Sequence, residues 1–240
     1  MSFSSRSRSS FLKATAACAF VSAATWTPAL TLYFATIDAS VVSPPPVANL
    51  YSFGAFLGTG TDNGDSAGNA THFGLTQTFN VPSRIRGLAH VDGTTGLPSG
   101  VSTHSASTTN HLNLNNLSGP VNPSFPNPIP YTTTLTFEWS YTITVSCSLA
   151  NEMASATVMA FVPGGPSLPA VTLTQVGAGS QTATFSGLSV FNVTIPGNSN
   201  KAVDLDVHTD GFAVTNPVPE PATLVVLGLG AVGLLRRRKR

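Results

Sequence analysis

The chain has 240 residues, 42% of them hydrophobic and only 9% charged, with a formal net charge of +1. An average soluble domain carries about 25% charged residues, so a charge-rich disordered chain and a coiled coil are both excluded. The 21 glycines and 18 prolines follow no Gly-X-Y period, which excludes collagen. The near-neutral total also lacks the basic footprint of a nucleic-acid binder.

The charge is unevenly placed. Arg6, Arg8 and Lys13 lie near the start, and residues 236–240 are all basic. Between Ser40 and Asn216 three basic residues face eight acidic ones, a net charge of −5. The basic residues therefore concentrate where targeting signals keep them.

At the N-terminus the basic stretch precedes an Ala-rich apolar run from Ala14 to Ile37. This order reads as a secretory signal over residues 1–39, with cleavage after Ala24 or Ala39. Ser9 stands where a twin-arginine signal needs its second Arg, which favours the general secretory route. Ser40 to Pro46 then reads as a linker.

The body, residues 40–214, shows no helix period and many strand signals. From Leu135 to Leu149 every odd residue is apolar and every even one is Thr, Glu or Ser, a period of two. Shorter strands are expected at 50–57, 72–81, 85–91, 154–162, 170–176, 182–186, 189–195 and 202–214, separated by Gly/Pro turns. The stretch 94–130 is rich in Ser, Asn and Pro and reads as an irregular insertion. The expected fold class is all-β, an antiparallel β-sandwich or jelly roll.

Few residues in the body ask for chemistry. Gly64-Asp65-Ser66-Ala67-Gly68 resembles the serine box of several hydrolases. The Ser needs a base and an oxyanion hole, and its Gly/Asp surroundings read instead as a flexible turn. A secreted serine hydrolase using Ser66 is therefore the remotest reading, and no enzyme activity is expected. Asp204, Asp206, His208 and Asp210 share one face of an extended segment ending at Gly211. Calcium is the candidate cation there, with Asp204, Asp206 and Asp210 as ligands, although the imidazole interrupts a hard-cation set and the alternation also fits a solvated strand face. Asp62, Asn63 and Asp65 are a weaker loop of the same kind. No other cofactor is expected. His72, His90, His104 and His111 show no metal-ligand spacing. Trp139 falls on the apolar face of its strand, whereas Tyr51 and Tyr131 remain open as sugar-stacking aromatics. Cys147 is expected to be a buried, inert thiol.

The C-terminal segment 215–240 has three parts. Pro219-Glu220-Pro221 precedes an apolar span, 222–235, and the basic tail 236–240. Fourteen residues make about 21 Å of helix, short against a bilayer core of about 30 Å. The glycines at 228, 230 and 233 match a dinucleotide fingerprint, but no helix and acidic residue can follow within the seven remaining positions.

This three-part order resembles the PEP-CTERM sorting signal of Gram-negative bacteria. The resemblance covers roughly the last 23 residues. It implies that Pro219, Glu220 and Pro221, followed by a short transmembrane helix and Arg236, Arg237 and Arg238, are handled by an exosortase, a membrane transpeptidase. It further implies export across the inner membrane, transient anchoring, and delivery to the cell surface or a biofilm matrix. The expectation is a non-enzymatic surface protein of an exopolysaccharide matrix. The alternative is a carbohydrate-binding or adhesion module, in a calcium-dependent version or without the ion.

Overall fold

The computed structural model describes residues 30–81 and 84–216. The expected leader before residue 30 and the expected span 222–235 with its basic tail lie outside the described residues. Among those described, no helix is long and apolar enough to cross a membrane.

The described chain is all-β, as its period-two patterning requires. Its strands are β1 (Leu30–Val42), β2 (Tyr51–Val81), β3 (Arg84–Asn116), β4 (Tyr131–Cys147), β5 (Glu152–Phe161), β6 (Ser167–Val176), β7 (Gly179–Ile195) and β8 (Ser199–Thr215). All pairings are antiparallel. The order is β6-β5-β8-β3-β1-β4-β7, with β2 on the far side of β3.

One sheet makes two layers because β2 and β3 fold over together. The first half of β3 pairs with β1, and the second half, from Gly100, pairs with β8. Between them, at residues 96–99, the inward positions change from odd (Ile85, Ala89, Val91) to even (Ala106, Leu112, Leu114). β2 follows with an irregularity between Gly68 and Ala70. Gly68 has φ +72° there, a left-handed conformation that glycine adopts without a Cβ penalty. The layers then face each other, β1 against β8 and β5, and β4 against β5 and β6.

The core is thin. Tyr33, Ile37, Phe137, Ile143 and Leu205 are fully buried, but they alternate with Ala35, Ala39, Ala89, Ala156 and Ala213. The outer faces carry hydroxyls in place of charges. Cross-strand pairs such as Thr132–Thr194 (2.9 Å), Thr157–Thr172 (2.9 Å) and Thr144–Thr182 (3.1 Å) are each a small stabilising contact. This is how a body with so few charged residues presents a polar surface.

Several boundaries differ from the sequence expectation. Residues 30–39, placed within the expected leader, form most of β1, a central strand whose Tyr33, Ala35 and Ile37 are buried. Cleavage after Ala39 would remove that strand, so of the two expected cuts only the one after Ala24 leaves the fold whole. Ser40 to Val42 belong to β1 and are not linker. The expected insertion shrinks to residues 117–130, because 94–116 is strand. Its inward residues include Ser102, His104, Thr108 and Asn110, so apolar alternation could not reveal it. The Gly-rich stretch around Ser66 is likewise not a turn but part of β2. Pairs of expected short strands merge into β2 and β7.

Candidate functional site

The outer face of the β3–β1–β4–β7 layer holds an open groove of about 770 Å³. Register builds it. Two rows cross the strands, Asp38–Ser140–Ser186 and Ser40–Glu138–Leu188, and a third, Thr36–Thr142–Thr184, lines an adjoining recess. Even-numbered residues of β1, β4 and β7 line it together with Trp139 and Gly187, and Arg84 and Arg86 reach in from β3.

Two ion pairs organise the groove. Arg86 grips Asp38 through both Nε (to Oδ1, 2.7 Å) and Nη2. Its guanidinium also lies 5.2 Å from the centre of the Phe79 ring. Arg84 Nη2 donates to Glu138 Oε2 at 2.7 Å and to Ser40 Oγ at 2.9 Å. Ser40 Oγ in turn donates to Glu138 Oε2 at 3.2 Å. Two guanidiniums and two carboxylates cancel, so the groove is polar and close to neutral. Its planar bidentate groups and serine hydroxyls can exchange hydrogen bonds with a hydroxyl-rich ligand. At the groove, Leu188 is 71% exposed.

Trp139 also lines the groove and Tyr141 the adjoining recess, although both hold inward positions in the β4 alternation. Trp139 and Tyr141 share the inward side with buried Phe137. Trp139 meets Phe137 and, edge-on, Phe185, while Tyr141 stacks on Phe185 with ring centroids 5.8 Å apart. The expected core placement of Trp139 therefore holds in part: it is half-buried against the core. Tyr51, open in the sequence reading as a stacking aromatic, is buried, bonds Ser43 Oγ at 2.8 Å and packs on Tyr131.

The acidic residues of β8 are spread out. Asp204 bonds His111 Nδ1 at 2.7 Å, Asp206 accepts from Thr109 Oγ1 at 2.6 Å, and Asp210 bonds His208 Nε2 at 2.6 Å. Each carboxylate faces a different partner along about 20 Å of strand. The bond to Asp210 pushes the His208 pKa above its ordinary value, and His208 in turn pulls Asp210 below its own. Among the described residues no three His, Cys, Asp or Glu side chains form a set able to hold a metal ion.

Cys147 is buried and unpaired. Burial raises its pKa, with nearby Glu152 adding to the effect, so the thiol has little thiolate character. Ser66 is exposed on β2 opposite Ser102. Nearby, His104 Nε2 bonds Asp62 Oδ1. The other ring nitrogen, Nδ1, has no hydrogen-bond partner, so no serine hydroxyl is linked to this imidazole. The sequence reading missed the Asp62–His104 pair. A separation of 42 positions carries no spacing signal, and only the β2–β3 register brings them together.

Beyond the last strand, residues 217–240 match the family model of the PEP-CTERM protein-sorting motif. The chain carries a PEP-CTERM sorting motif. Pro219, Glu220, Pro221 and Arg236 to Arg238 all fall inside it, and none of the sheet does. The motif implies export and membrane-associated sorting by an exosortase. No curated protein matches the chain.

Proposed function

We propose that this chain is a non-enzymatic structural protein of the extracellular exopolysaccharide matrix, released to it when an exosortase processes the PEP-CTERM motif. The observation that carries the reading is the sorting motif itself, set immediately after β8, which ends at Thr215. The hydroxyl-rich outer faces support a body that works by surface contact, and the nearby His104 Nδ1 accepts no hydrogen bond from a serine.

The test follows the exported chain in its own host. Wild-type protein should be processed at its C-terminus and recovered from the cell surface and matrix. A variant lacking residues 217–240, or carrying Glu220→Ala, should be exported without that processing and lost to the medium. Equal processing and matrix recovery for all three would overturn the reading.

A second reading is a carbohydrate-binding module using the neutral groove between Arg84, Arg86, Asp38 and Glu138. The near-cancellation of charge there favours an uncharged glycan over an anionic one. Co-sedimentation of the full chain with host exopolysaccharide, with and without Ca²⁺, should give saturable binding weakened by Glu138→Gln. Binding that EDTA abolishes would move the site to a calcium-dependent one, and no binding would leave the structural role alone.

A further inference from the structure

The two halves of β2 are protected very differently. Among the described residues β2 pairs with β3 alone, which leaves its other edge without a partner strand. Such an edge is a row of unpaired N–H and C=O groups that another strand can complete. The first half, residues 51–68, discourages this. It carries Asp62 and Asp65, an irregularity between Phe56 and Thr59, and glycines at 54, 58, 60, 64 and 68. The second half, residues 70–81, has no Lys, Arg, Asp, Glu or Pro, and its pairing to β3 runs unbroken from Ala70 to Val81.

The side chains of the second half sort by face. Its even residues turn to the other layer: the His72 ring centre lies 5.2 Å from that of His104, and a Cβ at Gly74 would meet the same ring. Its odd residues lie on the outer face, where Phe73, Leu75 and Phe79 are 54%, 37% and 47% exposed. Both aromatic rings have neighbours on β3 that hold them. Phe79 lies against the Arg86 guanidinium, and the Phe73 ring centre is 5.9 Å from that of His90. Side chains already held in place lose little freedom on docking.

We propose that residues 70–81 are a self-association edge, on which a second copy of this chain pairs antiparallel about a two-fold axis at Thr76. The segment is self-complementary in that register. Residues equidistant from Thr76 meet, so Phe73 faces Phe79 of the second copy and Leu75 faces its Gln77. Two Phe–Phe contacts form on the outer face, a favoured cross-strand pair. No like charges are set opposite. Asp92 lies beside Phe73 and Arg86 beside Phe79, so this row ends in Asp92 of one copy and Arg86 of the other. Between Ser40 and Asn216 the net charge is −5, so two copies approach with least repulsion along an uncharged stretch. Twelve residues make about 40 Å of edge on a sheet about 10 Å thick. The contact buries roughly 800–1,000 Å² in total, the range of weak, reversible complexes. The dimer should therefore have a Kd of about 1–100 μM.

The test is sedimentation velocity of the full chain in density-matched detergent, across that concentration range. Wild type should pass from monomer to dimer and stop there. Gln77→Lys puts two positive charges beside the two-fold axis and should weaken dimerisation at least tenfold with Tm unchanged. Ser66→Lys, on the first half of β2, should leave dimerisation unaltered. Register is read separately, in a Cys18→Ser background. The double variant Phe73→Cys/Phe79→Cys should be joined into dimers by a short bismaleimide, and neither single variant should be. A monomer throughout, an open-ended series of polymers, a dimer indifferent to Gln77→Lys, or a double variant that does not cross-link would each overturn the proposal.

Discussion

Gly211 on β8 lies directly beneath the ring of Tyr33 on β1, one layer against the other. Tyr33 is 1% exposed, and its hydroxyl pairs with Ser102 Oγ at 3.1 Å. Its ring also covers Gly93, its partner across the β1–β3 ladder. Two glycines thus make room for one large ring in a thin core. Gly211→Ala should destabilise the protein by about 1–3 kcal/mol through overpacking. Combining it with Tyr33→Leu should give a loss smaller than the sum of the two. Urea midpoints of the two single variants and the double variant measure this, and strict additivity would refute the contact.

Glu152 ties the β4–β5 turn from inside. Its carboxylate is 1% exposed and accepts the backbone N–H groups of Ser148 (2.6 Å) and Leu149 (2.7 Å), with Thr215 Oγ1 at 3.4 Å. Glu152→Ala leaves two donors without their acceptor and should cost about 2–3 kcal/mol. Thermal unfolding should show the drop, and a Tm within a degree of wild type would contradict it.

Asn116 closes the far end of β3. Its Nδ2 donates to Ile129 O (2.7 Å) and Ile195 O (3.0 Å), and its Oδ1 accepts from Ser118 N (3.0 Å). It therefore pins the loop 117–130 to β7. Asn116→Ala should cost about 1–3 kcal/mol and make that loop the first site of limited proteolysis. Cleavage elsewhere first would argue against this role.

The His208–Asp210 pair gives a defined pH window. His208 is raised above its ordinary 6.5 by its bond to Asp210, so its contribution is complete below that value and fades as pH rises through the folded pKa. Asp210 is lowered below its ordinary 3.8, chiefly by His208, so its contribution is present above that value and fades as pH falls through the folded pKa. Both hold between about pH 4 and 6.5. The side chains are 27% and 50% exposed, so the pair contributes at most about 1 kcal/mol. The Tm difference between wild type and His208→Asn should be largest near pH 5 and shrink toward pH 9. A difference independent of pH would refute the ion pair.

Cys147 should resist thiol reagents in the native state. It is 3% exposed, with Sγ against Gln175 O at 3.4 Å. Labelling by a disulfide reagent should follow global unfolding, rising steeply with urea. Rapid labelling without denaturant would show that the edge beside β6 opens locally.

The fold class was legible wherever apolar and polar residues alternate, as they do in β4 from Leu135 to Cys147. It was obscured where the inward residues are themselves polar. Ser102, His104, Thr108 and Asn110 carry the second half of β3 without hydrophobic periodicity, and glycines do the same in β2. The start of β1 was hard to separate from an apolar leader because its odd-numbered core residues alternate with Leu32, Phe34 and Thr36, a blend that is largely apolar. The groove was not visible at all. Asp38, Arg86 and Glu138 sit on three strands, and only register places them side by side.

The amino-acid sequence alone determined the all-β class and the sorting motif, because strand alternation and a three-part terminal signal are both local patterns. The tertiary structure alone decided which residues meet. A sheet that folds over on a 33-residue strand brings together side chains as much as 184 positions apart, and pairing register leaves no mark in the chain. Asp38 with Arg86, Tyr33 with Gly211, and His72 with His104 are each set by which strand lies beside or across from which, a choice made by the packing of the whole core.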